Sequence, residues 1–415
     1  MELSKFYKIR QIFDDQHIKE VDKELNSCLK EVKVEEIFSP GEKVAIAVGS
    51  RGIANITLLV KTLVERLKEL GVDPFIIPAM GSHGGATALG QLEVLNKLGI
   101  SEEKMGAPII SDMEVVKLGK TPSGAFVYMD KTAWSADAVI VINRIKPHTR
   151  FKAANESGLM KMVAVGLGKE KGCTELHKNG LYPNVVEAAR IALNKSPIRL
   201  GIGIVENAYD QTFKIAAVRK ENFEAVDAEL LKLAKAKMPS LPVDDIDLLV
   251  VKEIGKNISG TGMDVNILGR VKQPILNEYE IPRIKSIAAM DLTPETNGNA
   301  LGMGLADVIT KKFADKIDFK ATYANVIAAG FLSRGRMPVV QDNDREAIMT
   351  ALKCIERLEP LNARIVFIKN TLELEYLTVS ETIYNELNKK STIEVVQEYL
   401  DLTFDAKGNL EKGWW

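Results

Sequence analysis

Residues 43–50, Lys-Val-Ala-Ile-Ala-Val-Gly-Ser, form a short apolar run closed by glycine. Such a run predicts a strand buried on both faces of a parallel sheet. Over 55–70 the apolar positions are Ile56, Leu59, Val60, Leu63, Val64, Leu67 and Leu70. That spacing is one face of a helix, and Gly71 ends it. Phe75-Ile-Ile-Pro78 predicts the next strand, 87–98 a helix closed by Gly99, and Ala138–Asn143 a third strand. Helices at about 182–195 and 222–237 complete this region. Strands alternating with helices predict a mostly parallel α/β sheet in three layers.

The pattern breaks at Met238-Pro-Ser-Leu-Pro-Val-Asp-Asp245, where two prolines and two aspartates read as a linker. A strand at Asp247–Lys252 starts a second α/β region. It has further strands near 286–291, 364–369 and 375–379, and helices near 300–315 and 344–358. Ile393–Phe404 reads as a last helix and strand. The expected division is 1–240 and 245–415, with the last helix free to return to the first domain. A chain of 415 residues agrees with two domains rather than one core.

Composition narrows the function. Net charge is −1, so no strong field favours nucleic acid or an anionic membrane. No apolar run reaches the roughly 18 residues that span a bilayer. Cys28, Cys173 and Cys354 are far apart and form no Cys-x-x-Cys pair. A reducing, cytoplasmic setting and a small-molecule substrate are therefore expected.

Histidine is scarce, four in the whole chain, and three sit near predicted turns: His83, His148 and His177. Residues at turns are exposed and often carry chemistry. Ser50-Arg51-Gly52, Gly81-Ser-His-Gly-Gly-Ala-Thr87 and Arg144-Ile-Lys-Pro-His148 each follow a predicted strand. In open α/β sheets, ligands bind beyond the carboxyl ends of the strands. The Gly81–Thr87 loop also opens a helix, where backbone N–H groups favour an anion such as phosphate. Val165–Gly172 is no P-loop, because Lys169 is followed by Glu170 instead of Ser or Thr. It reads as a plain turn or a generic phosphate loop. Lys161, set among Leu159, Met160, Met162 and Val163, is either a buried amine of lowered pKa or a snorkelling surface lysine. His177 follows it by sixteen residues.

Taken in order, Arg51, Gly-x-His at His83, Pro-His at His148, Ser-Gly-x-x-Lys at Lys161 and then His177 resemble the nickel-pincer-nucleotide-dependent lactate racemases and their 2-hydroxy-acid racemase and epimerase relatives. The resemblance extends over roughly 40–275. It implies two α/β domains with an active-site cleft between them. It also implies Ni2+ held in a pyridinium-3,5-bisthiocarboxylic acid mononucleotide, made by cofactor-biosynthesis enzymes. Lys161 would tether this cofactor and His177 would ligate the nickel. His83 and His148 would be the catalytic acid/base pair. Arg51, with Ser82, Gly84 and Gly85 of the first loop, would contact cofactor or substrate. Substrate C2 would pass hydride reversibly to the cofactor. Ser259–Asn266 resembles a glycine-rich segment of the family's second domain, and Lys272 falls where a substrate-binding lysine is expected.

The chain also departs from the family pattern. Val48 replaces an aspartate, Gly84 an arginine, Leu159 a glycine and Gly269 a glutamine, and the His148–Lys161 spacing is longer. Two other functions remain open on the residues alone. One is a hydrolase or lyase with a metal held by His83, His148 and His177. The other is a non-catalytic relative that binds a phosphorylated small molecule.

Overall fold

The computed structural model describes residues 2–272, 279–411 and 413–415. The chain forms two compact units, Asp14–Met238 and a second made of Met1–Phe13 with Pro239–Trp415. Strand β1 (Phe6–Gln11) opens the chain and belongs to the second unit. The first unit holds β2 (Lys43–Val48), β3 (Asp73–Pro78), the ribbon β4 (Val115–Lys120) and β5 (Phe126–Asp130), then β6 (Ala138–Arg144), β7 (Ile198–Glu206) and β8 (Thr212–Arg219). Its main sheet has the order β3-β2-β6-β7-β8, parallel except for β8.

The period of two along β2 decides the layers. Val44, Ile46 and Val48 enter one core with residues of the helices Val21–Glu31 and Ile56–Glu69. Ala45 and Ala47 enter the opposite core with residues of Asn184–Lys195, Phe223–Lys237 and the segment 159–167. Alanine on that face lets the second layer approach closely. The expected α/β class is borne out. Among the described residues no helix is long and apolar enough to cross a membrane.

The second unit adds β9 (Asp245–Ile254), β10 (Arg283–Leu292), β11 (Val308–Thr310), β12 (Val339–Gln341), β13 (Ile365–Ile368), β14 (Tyr376–Ser380) and β15 (Ile393–Leu400). Its sheet runs β12-β11-β10-β9-β13-β14-β1-β15, parallel through β13 and antiparallel beyond.

Three expectations change here. The segment 300–315 is no single helix: Val308-Ile-Thr310 is a buried strand, followed by a short helix at Lys311–Ala314. β-branched residues pack better on a pleated sheet than in a helix. Ile393–Leu400 is a strand and not a helix, held against β1. The part of the chain that crosses between units is its beginning. Residues 1–13 group with 239–415 because β1 completes the second sheet between β14 and β15.

β1 is anchored by Phe6, fully buried, with ring centroids 5.6 Å from Phe367 and 5.3 Å from Trp414. Edge-to-face aromatic packing adds to the area term. Phe6→Ala is expected to lower stability by about 3–5 kcal/mol. Urea denaturation read by tryptophan fluorescence, which reports Trp414, checks it. A loss below about 1 kcal/mol would remove β1 from its role as an anchor.

Candidate functional site

The carboxyl ends of β2, β3, β6 and β7 lie at one edge of the first sheet, and the candidate residues follow them. After β2 come Ser50 and Arg51. Ser50 Oγ hydrogen-bonds His83 Nδ1, so the loop after β3 is tied to the loop after β2. At the end of β6, Arg144 pairs with Glu206 at the end of β7. Glu206 also accepts from the Ala54 amide at 2.6 Å.

The loop Gly81–Thr87 is built by glycine. Gly84 has φ +66°, and a Cβ there would meet the Gly90 carbonyl carbon and the Gln91 nitrogen at 2.6 Å. No arginine could stand at this position with the loop packed on its helix. This is the physical reason for the departure at Gly84. The loop is also less open to an anion than the sequence suggests. The amides of Gly81, His83 and Thr87 donate to Gly166, Met80 and Gly84, and Thr87 Oγ1 caps the helix Ala88–Lys97 by accepting from Gly90.

Val165–Gly172 is neither a plain turn nor a phosphate loop. A π-helical turn over Met162–Gly166 leads into the helix Lys169–Lys178. Lys169 is fully buried. Its ammonium lies 2.9 Å from the Asp130 carboxylate, 2.6 Å from the Pro78 carbonyl and 3.1 Å from Gln91 Oε1. Gln91 in turn donates to the carbonyls of Gly81 and His83. The lysine therefore holds the histidine loop from beneath. A buried charge of this kind needs such full satisfaction.

His148 is buried. Its amide donates to Glu156 Oε2 at 2.7 Å, and its Nδ1 accepts from the Arg150 amide at 3.1 Å. Glu156 is itself paired with Lys152 and Lys235. An amide N–H can only donate, so the neutral ring of His148 carries its proton on Nε2. His177 does not sit at a turn, as its sequence surroundings suggested. It lies in the last turn of the helix Lys169–Lys178. The Arg150 guanidinium hydrogen-bonds its Nδ1, which places the His177 proton on Nε2 as well.

Lys161 ends a short helix, Leu159–Lys161, whose start is fixed from outside. The buried Asp227 carboxylate accepts from the Leu159 amide at 2.7 Å and from Asn155 at 3.3 Å. A Cβ on Gly158 would come within 2.0 Å of that carboxylate, so only glycine fits there. Asn143 donates to the Gly158 carbonyl at 2.9 Å. Asp227, Glu156, Asn143 and Arg150 were not found by sequence reasoning. Polar residues in a predicted helix, strand or loop give no signal of whose backbone they will meet.

The electrostatics bring four of the predicted residues into one neighbourhood. Burial, then the positive charge of Arg51, with Lys146 and Arg150, pushes the Lys161 amine down to about 8. Burial, then Arg150 and Lys161, lowers His177 to about 4. Burial, then Lys161 and Arg150, holds His148 well below the usual imidazole range. Both imidazoles are thus neutral at pH 7, and about a tenth of the Lys161 amines are. His83 joins the group through Ser50, the neighbour of Arg51, and Ser82 lies 3.7 Å from Cys173 Sγ on the His177 helix. Gly85 is exposed on the same loop, with open space where a Cβ would stand.

Lys272 lies in the second unit, with its ammonium 2.9 Å from Asp307, which also pairs with Arg270. Gly269 has φ +64° and closes a short helix, and a Cβ there would meet the Pro282 carbonyl at 2.2 Å. A glutamine is therefore sterically excluded at that position.

The first unit is a three-layer α/β unit, and the segments that carry Arg51, His83 and His148 follow the carboxyl ends of its parallel strands. Residues 4–187 match the family model of the lactate racemase N-terminal domain. No curated protein matches the chain. Among solved structures, the lactate racemase apoprotein from Thermoanaerobacterium thermosaccharolyticum is similar at 11% identity and TM-score 0.50, covering 84% of this chain and 96% of that one. A protein from Thermotoga maritima is similar at 16% identity and TM-score 0.50, covering 65% of this chain and 70% of that one. At such identities the likeness shows fold.

Asp227 gives the site a pH signature. Burial raises its pKa from 3.8 to about 6 against the opposing hydrogen bonds. A raised folded pKa means that the folded state holds the proton more tightly than the unfolded chain. This group's contribution therefore favours folding below about pH 4 and is lost as pH rises through 6, by about 3 kcal/mol in all. Asp227→Asn removes that dependence. Its stability relative to the parent protein is expected to rise by about 3 kcal/mol between pH 4 and 7.5. Urea denaturation at both pH values tests this, and an equal difference at the two would contradict it.

Proposed function

We propose that this protein is a nickel-dependent racemase or epimerase of a 2-hydroxy acid. The observation that supports the reading best is that Lys161 feels the charge of Arg51, and His148 and His177 that of Lys161, although the four arise from separate segments. Such perturbed groups concentrate at functional sites.

The residues fit the proposed cofactor. A cation-rich neighbourhood suits an anionic mononucleotide, and an amine near pKa 8 suits covalent attachment through its neutral form. His177 would hold the metal, and an imidazole is a ligand that nickel accepts. That role needs a ring nitrogen without its proton, so the present bond from Arg150 has to yield. The nickel pincer nucleotide, when bound, supplies the hydride acceptor for substrate C2.

The chain's own residues would do the rest. Arg51 would hold an anionic group of substrate or cofactor. His83 would take the substrate hydroxyl proton through its ring, with the Ser50 hydroxyl able to donate to or accept from Nδ1. His148 would serve as the second histidine of the pair. Ser82, Gly84 and Gly85 would shape the cofactor pocket. Lys272 is the second unit's candidate for the substrate carboxylate, and it has to leave Asp307 to serve.

The alternative of a metal hydrolase or lyase finds little support. Among the described residues no three His, Cys, Asp or Glu side chains are grouped to hold a metal ion. A non-catalytic binder of a phosphorylated small molecule draws on the same cationic cluster, and turnover separates the two.

Protein purified from a cofactor-producing host is expected to racemise or epimerise a member of a 2-hydroxy-acid panel, read by chiral chromatography. Intact mass should show an adduct mapping to Lys161, with nickel by elemental analysis. His83→Ala and His148→Ala should each lower turnover at least roughly 100-fold. His177→Ala should lower nickel content. A loaded protein inert across a broad panel, or a His177→Ala variant with full nickel, would count against these assignments.

A further inference from the structure

Arg150 touches both site histidines at the same atom. Its backbone amide donates to His148 Nδ1 at 3.1 Å, and its guanidinium hydrogen-bonds His177 Nδ1. Neither group of Arg150 can accept a hydrogen bond. Each ring must therefore present a lone pair at Nδ1 and a proton at Nε2. Metal-bound histidines show the reverse arrangement, in which the second ring nitrogen donates to an acceptor and keeps the coordinating lone pair free.

We propose that Arg150 is a positioning residue that holds His148 and His177 as Nε2–H tautomers and so closes His177 to nickel alone. Nickel entering at Nε2 would force the His177 proton onto Nδ1, against the guanidinium. Nickel entering at Nδ1 would displace the guanidinium outright. An anionic group supplied with the metal offers Arg150 another partner and removes the obstacle. The protein therefore takes nickel together with an anion and not as a bare ion. For His148 the lock is permanent, because it comes from the backbone. That ring then offers its Nε2–H as the proton donor of the pair, with His83 as the base.

The inference rests on the racemase reading for its catalytic consequence, but its test uses only cofactor-free full-length protein. With four histidines in the chain, selective 15N-histidine labelling gives a countable spectrum. Long-range 1H–15N spectra should show Nε2–H tautomers at both His148 and His177. Arg150→Ala should change His177 to a mixture or to Nδ1–H while leaving His148 unchanged, and Arg150→Lys should restore His177. Titration with NiCl2 should broaden the His177 ring signals in Arg150→Ala at a nickel concentration at least roughly tenfold lower than in the parent protein.

An Nδ1–H tautomer at His177 in the parent protein would overturn the proposal. So would an unchanged His177 in Arg150→Ala, or equal nickel sensitivity of the two proteins. A merely structural role for Arg150 would move both histidines together or neither. If the tautomers and nickel response are as expected but the loaded protein turns over no 2-hydroxy acid, Arg150's role stands and the racemase reading falls.

Discussion

The site depends on a close contact between the Asp227 carboxylate and the backbone at Gly158 and Leu159. A buried carboxylate without partners is costly, and this one obtains them from a peptide N–H and an amide side chain. In return it fixes where the short helix ending at Lys161 begins. From there the chain is tied in both directions. Upstream, Lys146 and Ser157 exchange backbone hydrogen bonds, so the His148 loop closes on itself. Downstream, the π-turn and the buried Lys169 set the start of the His177 helix. Three candidate groups thus inherit their positions from one carboxylate that belongs to a different helix.

The second constraint is the concentration of positive charge. Arg51 and Arg150 depress the protonation of Lys161, and Arg150 and Lys161 that of both histidines. Like charges gathered in a poorly hydrated place raise the energy of the site. The nearby acids relieve little of this. Glu206 is taken up by Arg144 and the Ala54 amide, and Glu156 by Lys152, Lys235 and the His148 amide. A bound anion is what such an arrangement recovers energy from. Neutral imidazoles follow from the same field, and they are the form in which histidine can either donate a hydrogen bond or ligate a metal.

The parts legible in sequence were those written in local pattern. β2, β6 and the helix at 56–69 came from apolar runs and periodicity alone, and Arg51, His83, His148 and Lys161 from their place after such runs. What was missed depends on long-range partners. Phe6–Gln11 is a strand only because β14 and β15 flank it. Val308–Thr310 is too short for periodicity to separate strand from helix. Asp227 sits on a surface-type helix pattern, and nothing local shows that it turns inward to meet Leu159.

The departures from the family pattern now divide into two kinds. Gly84 and Gly269 lie where a side chain would strike backbone, at 2.6 Å and 2.2 Å, with φ in the left-handed region. At these two places the backbone path of this chain accounts for glycine, so nothing about ligand chemistry follows from the missing arginine and glutamine. The added length between His148 and Lys161 is different. That stretch holds Arg150, whose charge and amide reach both histidines. A substitution that only refits backbone leaves the protonation of the site alone. A donor set against two imidazoles does not. The chemistry peculiar to this chain is therefore to be sought at Arg150, before the glycine replacements.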